Sequence, residues 1–163
     1  MSMNLKGQVV ALMVASGFIE YELTELQRAL SKAGATIKTI AAETGLTNGW
    51  DATAGTFGHY YPVDAQLSTV LAADLDALVI VDGARSIAKL KTNLNTARIL
   101  RHMLDAEKAV AVCGAAAELF TSLNRTGDDA CLLRVDTSNA EWVDSVLQHI
   151  ADRMPAPDVK AAA

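Results

Sequence analysis

The sequence predicts an α/β protein of the flavodoxin-like, doubly wound kind, a mainly parallel sheet with helices on both faces. Three observations predict it. Short, almost wholly apolar runs recur at residues 8–15, 76–81 and 108–113, as strands buried on both sides require. Between them lie stretches whose apolar residues repeat at helical spacing. Hydrophobic residues make up 51% of the chain but aromatics only 5%, so the core is aliphatic and alanine-rich.

Residues 8–15 read as the first buried strand, and Ser16, Gly17 and Phe18 turn it. Glu20, Tyr21 and Glu22 lead into a helix whose apolar stripe is Leu23, Leu26, Leu30 and Ala33. Gly34 stands where a helix ends in a left-handed residue, and residues 36–42 form a second strand. Strand, helix and strand in so short a span imply a right-handed parallel crossover. From 43 to 64, Gly45, Gly49, Gly55 and Gly58 interleave with Thr, Asn and aromatic residues, which suggests hairpin-like strands and turns.

A short helix is expected over 65–73, then an apolar strand over 76–81 with a loop at 82–86. Residues 87–90 and 95–106 read as helical, the second turning Ile99, Leu100, Met103 and Leu104 inward. After the strand ending at Cys113, Gly114 and three alanines begin an Ala-rich helix. Residues 131–135 read as a strand and 140–154 as a last helix carrying Trp142, Val143, Val146, Leu147 and Ile150. Residues 155–163 read as a frayed tail. Alternating strands and helices imply a doubly wound sheet within one domain spanning 1–163.

Composition excludes several functions. Net charge is −5 over 163 residues, and with a pI of about 5.1 the chain lacks the basic footprint of a nucleic-acid binder or of a protein held to anionic lipid. No apolar run is long enough to span a bilayer. The polar amino end has no secretory core. Cys113 and Cys131 make no disulfide framework, and no Cys/His spacing marks a metal site. A reducing cytoplasm is the expected compartment. No phosphate or dinucleotide motif appears, so no cofactor is expected.

Residues 108–120 carry the chemistry. An apolar strand, a cysteine, a small-residue turn and an Ala-rich helix start outline a nucleophile elbow, which lifts a reactive side chain to the carboxyl edge of a sheet. There, nearby backbone N–H groups and a helix amino end favour a thiolate at Cys113. The plainer alternative is a small buried hydrophobe.

Four stretches together resemble the ThiJ/PfpI superfamily. Residues 14–22 look like its first strand and "G-F-E-E-x-E" turn, and residues 77–83 like its "D-A-L-V-L-P-G-G" strand. Residues 111–114 look like its "A-I-C-H-G" elbow, and Val63-Asp64 like a "V-D" pair before the middle helix. The resemblance implies Cys113 as nucleophile, Glu22 as the acid sharing a proton with it, and Gly83 in a loop whose N–H groups face an oxyanion. It also implies a homodimer and a small carbonyl substrate or an oxidant. An acid bonded to sulfur stabilises the thiolate; otherwise Glu22 simply complements its helix dipole.

Three departures bear on chemistry. Gly114 stands where hydrolases of the family carry histidine, which removes the elbow's own base. Asp82 precedes Gly83 where a second glycine is usual, and a carboxylate there opposes a developing oxyanion unless it points away or caps the next helix. Residues 121–140 contain no histidine. Leu5-Lys6-Gly7, Gly127-Asp128-Asp129, the strand near Cys131 and the last helix with Pro155 resemble the carboxyl-terminal domain of large-subunit catalases, which keeps the fold without the apparatus. Three functions follow as expectations: a stress-related protein with an oxidisable Cys113 and no protease activity, a glyoxalase-, deglycase- or amidase-like enzyme using Cys113, or a chaperone-like or structural module.

Other side chains are weaker candidates. Arg85 is positioned to contact an anion at the strand end, or to be solvated. His59 lies in a Gly-flanked aromatic loop, while His102 and His149 sit on helices in solvated or cap-like roles. Cys131 reads as core.

Overall fold

The computed structural model describes residues 3–121, 123 and 130–154. Six strands form a parallel sheet: β1 (Val9–Val14), β3 (Thr36–Ala41), β6 (Ala65–Gln66), β7 (Ala77–Ile80), β8 (Ala109–Cys113) and β9 (Leu132–Val135), in spatial order β6-β3-β1-β7-β8-β9. A second, three-stranded sheet pairs β2 (Phe18–Ile19), β4 (Leu46–Asp51) and β5 (Thr56–Pro62), with β4 and β5 as an antiparallel hairpin. The glycine-punctuated stretch from 43 to 64 supplies that hairpin, as its turn residues predict.

Helices cover both faces of the large sheet, and strand alternation sorts the core accordingly. On one face Met13, Ile80, Val110 and Val112 meet Leu90 of α2 (Ala84–Thr92), Ile99 and Met103 of α3 (Leu94–Asp105) and Leu119 of α4 (Glu118–Thr121). On the other, Leu12, Val14, Val79, Ala111 and Cys113 meet Leu23, Leu26 and Leu30 of α1 (Glu20–Lys32) and Trp142, Val146 and Ile150 of α5 (Trp142–Arg153). The flavodoxin-like prediction therefore holds. Among the described residues no helix is long and apolar enough to cross a membrane.

Residues 65–73 correct the expected short helix. Ala65 and Gln66 pair with Ile40 and Ala41 as an edge strand, and one 3-10 turn follows at Leu67–Thr69. Once the backbone is committed to the sheet edge, Leu67 and Val70 are buried by single turns instead of a continuous helical face. The expected helix after Cys113 is also shorter, a 3-10 turn at Gly114–Ala117 followed by the single turn of α4. Gly127, Asp128 and Asp129, and the tail 155–163, lie outside the described residues.

The chain leaves β1 for β3 on one side and later returns to β7 on the other. This reversal places the topological switch point at the carboxyl ends of β1 and β7, where open α/β sheets form their clefts.

Candidate active site at the elbow

The segment after β1, the loop after β7 and the turn after β8 meet at this edge. Register explains the meeting: Ile80 lies beside Met13 on one side and Val112 on the other. Two residues further on, the loop brings Asp82 against Gly114, where a Cβ on Gly114 would lie 2.8 Å from Asp82 Cγ and closer still to Oδ2.

The turn's apex falls one residue later than the sequence suggests. Cys113 is the last residue of β8, with ordinary extended backbone at φ −88 and ψ 125. Gly114 takes the left-handed conformation at φ +54, and it is exposed. A nucleophile elbow presents its reactive side chain from the residue at the sharp turn. Here that residue has no side chain, while Cys113 points back among Ala109, Ala111, Val135 and the helices behind.

Cys113 is 0% exposed, and its thiol is pushed well above the ordinary range, first by burial and then by the charges of Glu22 and Asp82. Neither the burial nor these charges favours the thiolate expected of an elbow. The turn that follows is too short to offer an appreciable helix dipole, and the nearest charges are negative.

Glu22, from the first turn of α1, is 3% exposed. Its Oε1 accepts the Asp82 N–H at 3.0 Å, and its carboxyl also hydrogen-bonds the Thr137 side chain. Burial raises its pKa to about 7, against the lowering effect of those hydrogen bonds and with further help from the Asp82 charge. When ionised, its charge raises the pKa of Cys113. Thr137 escaped sequence reasoning. The available signal was its place two residues past Val135, which is in register with Cys113.

Asp82 neither points away nor caps α2. Its Oδ1 accepts the Gly83 N–H at 2.7 Å, its carbonyl accepts the Ile19 N–H at 2.9 Å, and α2 has Gly83 itself at its N-cap without a side-chain cap. The Gly83 N–H is thus taken by a resident carboxylate and does not face outward as an oxyanion donor. Gly83 is irreplaceable for another reason: at φ +140, a Cβ would lie 2.6 Å from the Gly17 carbonyl oxygen.

Arg85 is likewise engaged. Its guanidinium lies 3.7 Å over the Trp50 ring, Trp50 packs edge-on against Phe57, and Lys89 approaches Phe57 at 5.7 Å. These contacts pin α2 to the small sheet. His59, whose side chain is 85% exposed, faces Glu20 at 3.4 Å. His149 is half-buried on the Cys131 carbonyl at 2.6 Å. Among the described residues no His, Cys, Asp and Glu cluster is suited to a metal ion. A groove of about 500 Å³, lined by Met3, Ala29, Ala33 and Leu147, runs along α1 and α5 and not at the elbow.

The sequence profile described as the DJ-1/PfpI family matches residues 8–154. No curated protein matches the sequence significantly. Among solved structures, a two-domain protein of Anabaena variabilis, with DJ-1/ThiJ/PfpI-like and ferritin-like domains, superposes with a TM-score of 0.73 at 18% identity. The alignment covers 96% of this chain and 52% of that one, so this chain spans about half of that relative. DJ-1beta of Drosophila melanogaster aligns at TM-score 0.70 and 16% identity over 93% and 91% of the two chains. A ThiJ/PfpI domain protein of Brachyspira murdochii gives 0.69 and 17% over 92% and 99%. Identities this low speak for the fold alone.

Proposed function

Because the chain belongs to the DJ-1/PfpI family yet carries glycine at its elbow apex, we propose that it works in a stress-related setting without thiol chemistry, as a chaperone-like or structural module. The observation that carries this reading is the separation of roles between two neighbours. Gly114 has the turn geometry and the exposure, whereas Cys113 has the sulfur and is 0% exposed. A nucleophile must be both accessible and ionised, and the burial and nearby charges of Cys113 oppose both. The likeness to the carboxyl-terminal domain of large-subunit catalases, carried by Leu5-Lys6-Gly7, Gly127-Asp128-Asp129, the strand near Cys131 and the last helix with Pro155, supports the same conclusion, as does a structural neighbour that pairs this fold with a ferritin-like domain.

The test compares wild type with Cys113→Ala in three assays: native thiol labelling, peroxide oxidation followed by intact mass, and methylglyoxal turnover. Native Cys113 is expected to label no faster than global unfolding allows, and turnover to equal background in both proteins. Aggregation of a client protein is expected to be suppressed equally by both. Oxidation of Cys113 faster than a free thiol, or turnover lost in the variant, would refute the proposal in favour of an oxidisable or catalytic cysteine. The accompanying readings, a homodimer in the cytoplasm, are tested by sedimentation and by fractionation.

A further inference from the structure

The elbow lacks more than a sulfur. We infer that Asp82 is the residue that closes it, its carboxylate occupying the seat of an elbow side chain above Gly114 and barring both a nucleophile and an oxyanion there. This rests on the reading that Gly114 is the apex, and it adds a specific occupant.

Several facts place the carboxylate there. The register of β7 on β8 carries residue 82 to the level of residue 114. The Asp82 backbone is held at both ends, its N–H donating to Glu22 and its carbonyl accepting from Ile19. Gly83, at a backbone conformation that admits only glycine and packed on the Gly17 carbonyl, leaves the loop little freedom to withdraw. The side chain is tethered through Oδ1 to the Gly83 N–H at 2.7 Å, and Oδ2 lies against the position a Cβ on Gly114 would take. An ideal Cβ at residue 114 would lie 2.8 Å from Asp82 Cγ, well inside van der Waals contact, so any side chain there displaces the carboxylate or the turn.

The electrostatic consequence follows from the same placement. A carbonyl attacked at this edge would develop negative charge beside an existing carboxylate, with the Gly83 N–H already taken. Oxyanion sites accelerate reactions by presenting donors to developing charge; this edge presents an acceptor. Positions 82 and 114 are therefore exclusive of each other: the carboxylate requires glycine at the apex, and a side chain at the apex requires the carboxylate to be gone.

A double-mutant cycle tests this directly. Gly114→Ala is made in wild type, in Asp82→Gly and in Asp82→Asn, and the unfolding equilibrium constant is measured with denaturant. The intrinsic cost of alanine at positive φ is common to all three backgrounds and cancels. The overlap does not cancel. Gly114→Ala is expected to reduce the folding equilibrium constant at least about tenfold more in wild type and in Asp82→Asn than in Asp82→Gly. Equal cost in all three overturns the inference.

The second measurement is thiol labelling of Gly114→Cys in the Asp82→Gly background. The new thiol is expected to react in the folded protein while Cys113 stays silent. A residue-114 thiol that labels only on unfolding also overturns the closing role of Asp82. By contrast, rapid labelling of native Cys113 in the wild-type chain would refute the non-thiol reading of the protein, so the two failures are told apart.

Discussion

Replacing Glu22 by glutamine removes a titration from the centre of the elbow, and the structure gives the sign and size of the result. Glu22 is buried, and its pKa stands near 7 in the folded chain against an ordinary value of 4.5. Raised carboxyl pKa values mean that the folded state holds a proton that the unfolded state has already released. The stability contributed by the protonated carboxyl is therefore complete below pH 4.5 and is lost as the pH climbs through 7.

At about 1.36 kcal/mol per pH unit, the whole shift sets an upper bound of about 3 kcal/mol. The site borders solvent at Gly114 and a half-buried Asp82, and screening there brings the expected loss to about 2 kcal/mol. Glutamine keeps an acceptor oxygen for the Asp82 N–H but cannot ionise. Urea midpoints followed from pH 4.5 to above 7 are thus expected to fall for wild type relative to Glu22→Gln. Above pH 7 the variant is expected to be the more stable of the two by about 2 kcal/mol. Every other titrating group is common to both proteins and drops out of the difference. Parallel stability curves, or a wild type that gains on the variant as pH rises, would refute the reasoning that burial raises the pKa of this carboxyl.

Gly83→Ala is expected to cost about 2 kcal/mol or more, because a Cβ at φ +140 would be driven against the Gly17 carbonyl; a thermal-unfolding midpoint within error of wild type would contradict this. Leu30→Ala, at a 0% exposed position facing the sheet from α1, is expected to cost about 2–5 kcal/mol by denaturant titration, with a smaller figure showing that the α1 layer collapses into the vacancy. Arg85→Ala removes the guanidinium from the Trp50 face and is expected to change the fluorescence of Trp50, read in a Trp142→Phe background, at a stability cost of about 0.5–1 kcal/mol. An unchanged emission would show that the stacking is not maintained in solution.

Much of the architecture was legible along the chain because it depends on periodicities of a few residues. The apolar runs at 8–15, 76–81 and 108–113 became β1, β7 and β8. The stripe of Leu23, Leu26 and Leu30 became the buried face of α1, and Gly34 ends that helix at φ +87 as a C′ residue does. Residues 65–73 were misread because Ala, Gln and Leu carry helical propensity, and only the free edge of β3 decided that two of them pair as a strand. The candidate site was half legible. Glu22, Asp82, Gly83 and Cys113 do converge on one edge, as the family motifs imply. What each does there was not legible. Arg85 reads as an anion contact until Trp50, far away in sequence, turns out to lie beneath it.

The gathering of an acid, a glycine loop and a cysteine at the sheet's carboxyl edge came from the resemblance to the family's motifs, while composition and spacing supplied the doubly wound sheet and its two helical layers. These follow from local patterns, since period and burial are written into consecutive residues. The tertiary structure alone supplied the left-handed turn at Gly114, the burial of the neighbouring sulfur and the approach of Asp82 to that turn. The turn depends on the sign of a single φ, the thiol's ionisation on the carboxylates and hydrocarbon packed round it, and the approach of Asp82 on strand register. None of these quantities is carried by neighbours in sequence. They arise only when Glu22, Asp82 and Gly114, drawn from three separate segments, are brought within a few ångströms of one another.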